Sequence, residues 1–194
     1  MHFVFRLIGT YLLALAVGLI SAWYMIVLGT PLTTRHIGPW TVWHAAGAPT
    51  ADPYTRAHHA RAGALPITSE SALYYTAFRD DDGRRLVSSC EYLIVGQPMS
   101  AAWWSIALYD ADGRLIPNKA DRHSFSNREV VRRVDGSFRI TLSGHARPGN
   151  WLPSGEDHKL QIVLRLFAPR GTAGSIDSAK IERQLPQIVK RECA

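Results

Sequence analysis

Between Leu7 and Leu28 the chain carries no charged side chain, and this stretch limits the possible folds more than any other feature. As a helix it rises about 33 Å at roughly 1.5 Å per residue, enough to cross a hydrocarbon core of about 30 Å. A core helix of a soluble domain needs an amphipathic period to orient it, and none is present here. A secretory signal is the competing reading, since Arg6 makes a basic start and Ile20-Ser21-Ala22 a poor cleavage site. Its apolar core usually runs about 7 to 15 residues, however. Here apolar character continues through Trp23, Tyr24, Met25, Ile26, Val27 and Leu28. The length favours an uncleaved, single-pass anchor over residues 1–30.

Orientation follows from the short flank before the apolar stretch, which leaves the remainder as a long translocated body whose own charges count little. The expectation is a cytoplasmic N-terminus with the body outside. In a Gram-negative cell that means an inner-membrane anchor and a periplasmic body.

Of the 194 residues, 22 are Lys or Arg and 16 are Asp or Glu, a formal charge of +6. Arg84, Arg114, Arg139 and Arg165 are scattered and form no stripe interleaved with aromatics of the kind that grips nucleic acid, so no nucleic-acid partner is expected. The cysteines are Cys90 and Cys193. In an oxidising compartment they would close a loop of about a hundred residues, worth roughly 4 to 5 kcal/mol in the chain-entropy model. The other reading is a buried strand thiol and a free terminal one. With no CxxC and no Cys-His spacing, zinc and redox catalysis drop out.

After the anchor, residues 31–68 read as an irregular connector containing one short helix, Tyr54 to Ala62. Asp52 is its N-cap, Pro53 its first residue, and Gly63 the left-handed residue past its end. From residue 69 to 170 the pattern becomes short alternating runs: Ala72 to Phe78, Leu86 to Val95, Ala102 to Tyr109, Phe138 to Leu142 and Leu160 to Leu166. Three Asp-Gly pairs, at Asp82, Asp112 and Asp135, punctuate them and argue for antiparallel hairpins. The expected fold class is mainly β, an antiparallel sandwich or jelly roll. Residues 171–194 read as a tail, with a last helix or extended segment over Glu182 to Arg191.

No HExxH, G-x-S-x-G or phosphate-cradling motif is present. His58 and His59 are adjacent on a helix and should diverge, which argues against a shared metal; no metal site and no cofactor is expected. Asn118, Arg122, His123 and Ser124 cluster in one connection between strands, where binding residues tend to sit. Trp104 and Trp151 supply aromatic faces of the kind that grip sugar rings. These six are the candidate ligand contacts, set against the plainer alternative of a structural loop and core aromatics.

One ordered set of motifs adds to this reading. Gly38-Pro39-Trp40, Asp52-Pro53-Tyr54 with Arg56-Ala57, and Trp103-Trp104-Ser105 with Leu108-Tyr109-Asp110 come first. They are followed by Asn118, Arg122-His123-Ser124, Asp135-Gly136-Ser137, Asn150-Trp151-Leu152-Pro153, and Leu164-Arg165-Leu166 with Pro169. In this order they resemble the family called domain of unknown function 1214, over Gly38 to Pro169. The resemblance implies a β-rich sandwich and transfers no activity. Longer relatives carry a domain of unknown function 1254 before this one, so the resemblance implies a separately encoded companion as a partner.

The expected function is a membrane-anchored periplasmic module of the cell envelope, non-enzymatic, binding a protein partner or an envelope glycan. The alternative is a glycan-cleaving enzyme using Glu70, Glu91 or Asp110 with His123. It requires paired carboxylates about 5 to 10 Å apart in a groove.

Overall fold

The computed structural model describes residues 2–68, 71–156, 159–169 and 178–193. The chain forms two compact units, Met1–Thr34 with Trp43–Thr68, and Arg35–Val42 with Ser69–Ala194.

The first unit holds the apolar segment as one helix, α1 (His2–Leu28), none of whose residues is buried. Among the described residues it is the one helix long and apolar enough to cross a membrane. It stops where Gly29 turns left-handed at φ 72 and donates its N–H to the Met25 carbonyl at 3.1 Å. The polar helix α2 (Pro53–Arg61) starts as expected, with Asp52 accepting from the Tyr54 and Thr55 N–H groups at 2.9 and 3.0 Å. Gly63 follows its end at φ 63.

The second unit is a two-layer β fold. Its strands are β1 (Thr34–Ile37), β2 (Trp40–Trp43), β3 (Ala72–Ala77), β4 (Cys90–Gly96) and β5 (Ala101–Asp110), then β6 (Ser124–Ser126), β7 (Phe138–Ser143), β8 (Trp151–Pro153), β9 (Leu160–Pro169) and β10 (Gln187–Cys193). A five-residue helix, α3 (Ser178–Glu182), precedes the last strand. One sheet runs β1-β2-β3-β9-β5-β6 and the other β10-β4-β7-β8.

Alternation decides which side chains enter the core, because successive residues of a strand point to opposite faces. Leu160, Ile162, Leu164 and Leu166 of β9 are all fully buried, the inward row expected from the sequence. Register extends that row across strands: Tyr75 pairs with Leu164, Leu164 with Ile106, and Ile106 with Phe125. Ile188, Ile94 and Ile140 make the matching row of the smaller sheet. The layers meet where Trp104 of β5 stacks on Phe138 of β7, ring centroids 4.7 Å apart. Phe138 in turn lies over Gly96, its cross-strand partner, where an added Cβ would come within 2.1 Å of the ring.

Three differences from the sequence reading have physical causes. The Asp-Gly pairs do form tight turns, with Gly83, Gly113 and Gly136 near φ 80. Each turn closes with a single antiparallel bridge, not a hairpin ladder. The turns after β3 and β6 carry the chain into the opposite sheet, since a turn fixes a local reversal and not the strand that finally pairs. Second, β8 runs parallel to β7. Third, the supposed tail and connector contribute strands: β10 pairs with β4, and β2 pairs with β3.

Polar contacts fix these added strands. Asp81, in the acidic turn after β3, exchanges two hydrogen bonds with the Ile188 backbone, at 2.7 and 3.0 Å. The indole N–H of buried Trp40 donates to the Pro186 carbonyl at 2.7 Å, and Arg35 pairs with Glu182 at 3.0 Å. Cys193 faces Cys90 across the β10–β4 ladder, and their sulfurs are bonded. The loop spans 103 residues. Replacing both cysteines by Ser should lower unfolding free energy by roughly 4 kcal/mol, read by denaturant titration of the full chain in detergent, with β10 gaining amide exchange first.

Candidate functional site

The expected loop folds around Asn118. Its amide donates to the Ile116 and Arg122 carbonyls at 3.1 and 3.0 Å, and its oxygen accepts from the Arg122 N–H at 3.1 Å. Asp121 sits left-handed at φ 47 within this turn, a conformation Asp tolerates better than most residues. Its carboxylate lies 3.4 Å from the His123 Nε2. Asn118 is thus spent on backbone groups, the usual work of such residues in turns.

Arg122 reaches from this loop to donate to the Trp151 carbonyl at 3.1 Å and lies over the Phe125 ring at 5.5 Å. That contact joins β6, an edge of the larger sheet, to β8, an edge of the smaller one. The structure brings Arg122, His123 and Trp151 into one region, yet none of them lines either of the two cavities described below. Trp104 is a correction: it is 1% exposed and stacked in the core, because its parity on β5 matches Ile106 and Leu108. Ser124 is exposed at the start of β6.

Among the described residues the carboxylate pair is not assembled. Asp110 ends β5 with its Oδ1 accepting from the Asp112 and Arg114 N–H groups, and Glu91 lies on the other sheet, held by Arg147 at 2.6 Å. Glu70 lies outside the described residues.

Sequence reasoning missed the outward face of the smaller sheet. Val189, Leu93, Thr141 and Trp151 stand in register across all four strands on the side away from the core. Over this face opens a cavity of about 520 Å³. Its walls bring together arginines from three parts of the chain: Arg132 and Arg133 from the turn before β7, Arg139 of β7, and Arg191 of β10. Asn150 builds the wall. Only 8% exposed, it donates to the Val131 and Arg139 carbonyls and accepts from the Val131 N–H, each at 2.8 Å. Arg132 is fixed over the Trp104 and Phe138 rings, at 5.7 and 5.9 Å. Arg133, Arg139 and Arg191 have no ion pair among the described residues. Arg191 is more than fifty residues from the other three in sequence, so only strand register could have revealed that it joins them.

A second cavity, of about 540 Å³, lies beside the disulfide, with His145, Arg147, Glu156 and Glu192 among its lining. Its charges are mixed, and Arg147 spans Glu91 and Glu192 at 2.6 and 3.5 Å.

In the first unit His58 and His59 do not diverge as expected. Their ring centroids lie 5.2 Å apart, and His58 stacks on Trp43 at 4.0 Å. The His58 Nδ1–H donates to the Ile26 carbonyl at 2.8 Å, satisfying a group that the end of α1 leaves without a helical partner. Burial lowers the pKa of both imidazoles, and the neighbouring His58 lowers His59 further, to about 4. Among the described residues no three metal-ligating side chains converge.

A family model described as "Protein of unknown function (DUF1214)" matches residues 71–171. Among solved structures, the VPA0106 protein from Vibrio parahaemolyticus superposes with a TM-score of 0.59 at 22% identity, over 75% of this chain and 37% of its own. An uncharacterised protein from Burkholderia cenocepacia gives 0.50 at 18% identity, over 92% of this chain and 42% of its own. These likenesses carry the fold alone, and the chain spans well under half the length of either structure. No curated protein matches it.

Asn150→Ala should cost about 1 to 3 kcal/mol, because three part-buried backbone groups lose their partner; thermal melts of the full chain in detergent read this. For His59, the folded state holds its proton less tightly than the unfolded chain, whose ordinary value is 6.5. The unfolded state therefore binds more protons between those values, and stability falls as pH drops from about 6.5 to about 4. Partial exposure of the residue limits the loss to the order of 1 to 2 kcal/mol. Ring-proton NMR should give the low value, and His59→Gln should remove this part of the pH dependence.

Proposed function

The chain belongs to the DUF1214 family of proteins of unknown function, and from that premise we propose that it is a membrane-tethered binding module of the cell envelope that acts without catalysis. The observation that carries this reading is the disulfide in a body joined to a 27-residue apolar helix. Disulfides persist in oxidising compartments and are rare in the cytosol. A helix with no buried face needs lipid around it, and a stable disulfide needs the body on the non-cytoplasmic side. In a Gram-negative cell the helix anchors the inner membrane and the body works in the periplasm.

Binding without catalysis is supported by what the polar side chains do. Asn118, Asp110 and Glu91 are each engaged in turns or ion pairs. The arginine-lined cavity, by contrast, presents guanidinium donors, and the one carboxylate in its lining, Glu91, is already held by Arg147. On this reading the body's partners are a protein carrying the domain of unknown function 1254, or an envelope glycan.

The test is topology in cells. After alkaline carbonate washing the full chain should stay in the inner-membrane pellet, and protease added to spheroplasts should degrade the body. A body protected in spheroplasts would sink the reading, as would a carbonate-released product starting beyond Ala22.

A further inference from the structure

We infer that the cavity on the outer face of the smaller sheet is a binding site for an acidic saccharide, whose carboxylate or phosphate groups are held by Arg133, Arg139 and Arg191. The inference deepens the binding role proposed above and uses none of its topology.

The first argument is charge left uncompensated. Several arginines of this unit are engaged: Arg84 pairs with Asp80 and Asp82, Arg147 with Glu91 and Glu192 and Arg35 with Glu182, while Arg79, Arg122 and Arg165 donate to a carbonyl or a tyrosine hydroxyl. The three cavity arginines have no such partner among the described residues, and the one lining carboxylate, Glu91, is already held by Arg147. Guanidinium groups match carboxylate and phosphate through paired, parallel hydrogen bonds, so converging unpaired arginines favour an anion with more than one such group.

The second argument is that this concavity is built. Asn150 ties the Val131 backbone to the Arg139 backbone, and the rings beneath Arg132 hold its guanidinium in place. The disulfide at Cys193 fixes β10 two residues beyond Arg191. The walls are therefore preorganised, which reduces the ordering cost of binding.

The third argument separates a saccharide from smaller or different anions. About 520 Å³ is far more than one inorganic anion fills and falls in the usual range for organic ligands. Leu93 and Val131 add apolar surface to the lining, and Val131 is 69% exposed. Apolar surface ringed by donors suits a sugar, with C–H faces and anionic edges. Leu93 and Thr141 belong to strands already paired with each other, which leaves an extended acidic peptide only an edge strand such as β10, and the polyglutamate probe below tests that alternative.

The experiment is calorimetric titration of the full chain in detergent micelles. The probes are a tetragalacturonate, a phosphate-substituted tetrasaccharide, the methyl-esterified tetragalacturonate and a polyglutamate of equal charge. One or both anionic saccharides should bind, the tighter identifying the group, with affinity falling as salt rises. The pair Arg139→Gln with Arg191→Gln should weaken binding at least about tenfold, while Arg114→Gln, on an exposed turn elsewhere, should not change it. Near-ultraviolet circular dichroism checks that the variants keep the Trp104–Phe138 packing. The proposal is overturned if neither anionic saccharide binds, if the methyl ester binds as well, if the double variant binds like the parent, or if polyglutamate binds tighter. A failure in these titrations leaves the spheroplast result unaffected, so the two readings fail separately.

Discussion

Phe138 organises the body of this protein. Its ring occupies the space that the missing side chain of Gly96 leaves free, and Trp104 covers it from the opposite sheet. Large aromatic faces contribute much of the apolar burial in a sandwich, and an offset stack adds about 0.5 to 1.5 kcal/mol beyond area. The same column continues outward, because Arg132 lies over both rings and projects into the wall of the arginine cavity. Core packing and surface chemistry are thus parts of one stack.

A sandwich must also close its edges, where unpaired backbone groups invite foreign strands. Here each end is closed by a polar contact between sheets. Arg122 ties the β6 edge to β8, while Trp40, Arg35 and Asp81 hold the segment leading into β10 against the rest. The loop that offered candidate ligand contacts from sequence thus serves as a fastening between the sheets through Arg122. Its Asn and Arg are suited to that role because they can satisfy several backbone groups from one short turn.

Much of the fold was legible in the chain. The apolar helix, the cap at Asp52 and the buried parity of β9 all follow from local pattern, and local pattern is set by neighbours in sequence. The strand order was not legible, since Asp-Gly turns are local and pairing is chosen by distant partners. The outward position of Leu93 could be inferred once β4 was known, but its neighbours Val189 and Thr141 could not. Trp104 illustrates the same division: alternation says that one of two consecutive tryptophans faces inward, and only packing against Phe138 says which.

By itself, the sequence determined that this is an apolar helix joined to a basic, strand-rich body, because charge absence, turn chemistry and alternation are properties of contiguous residues. The tertiary structure alone decided that Cys90 meets Cys193 and that Arg132, Arg133, Arg139 and Arg191 surround one cavity. Those meetings depend on strand register between segments up to a hundred residues apart. Register is fixed by the fit of buried side chains across two sheets, which no stretch of the chain encodes alone.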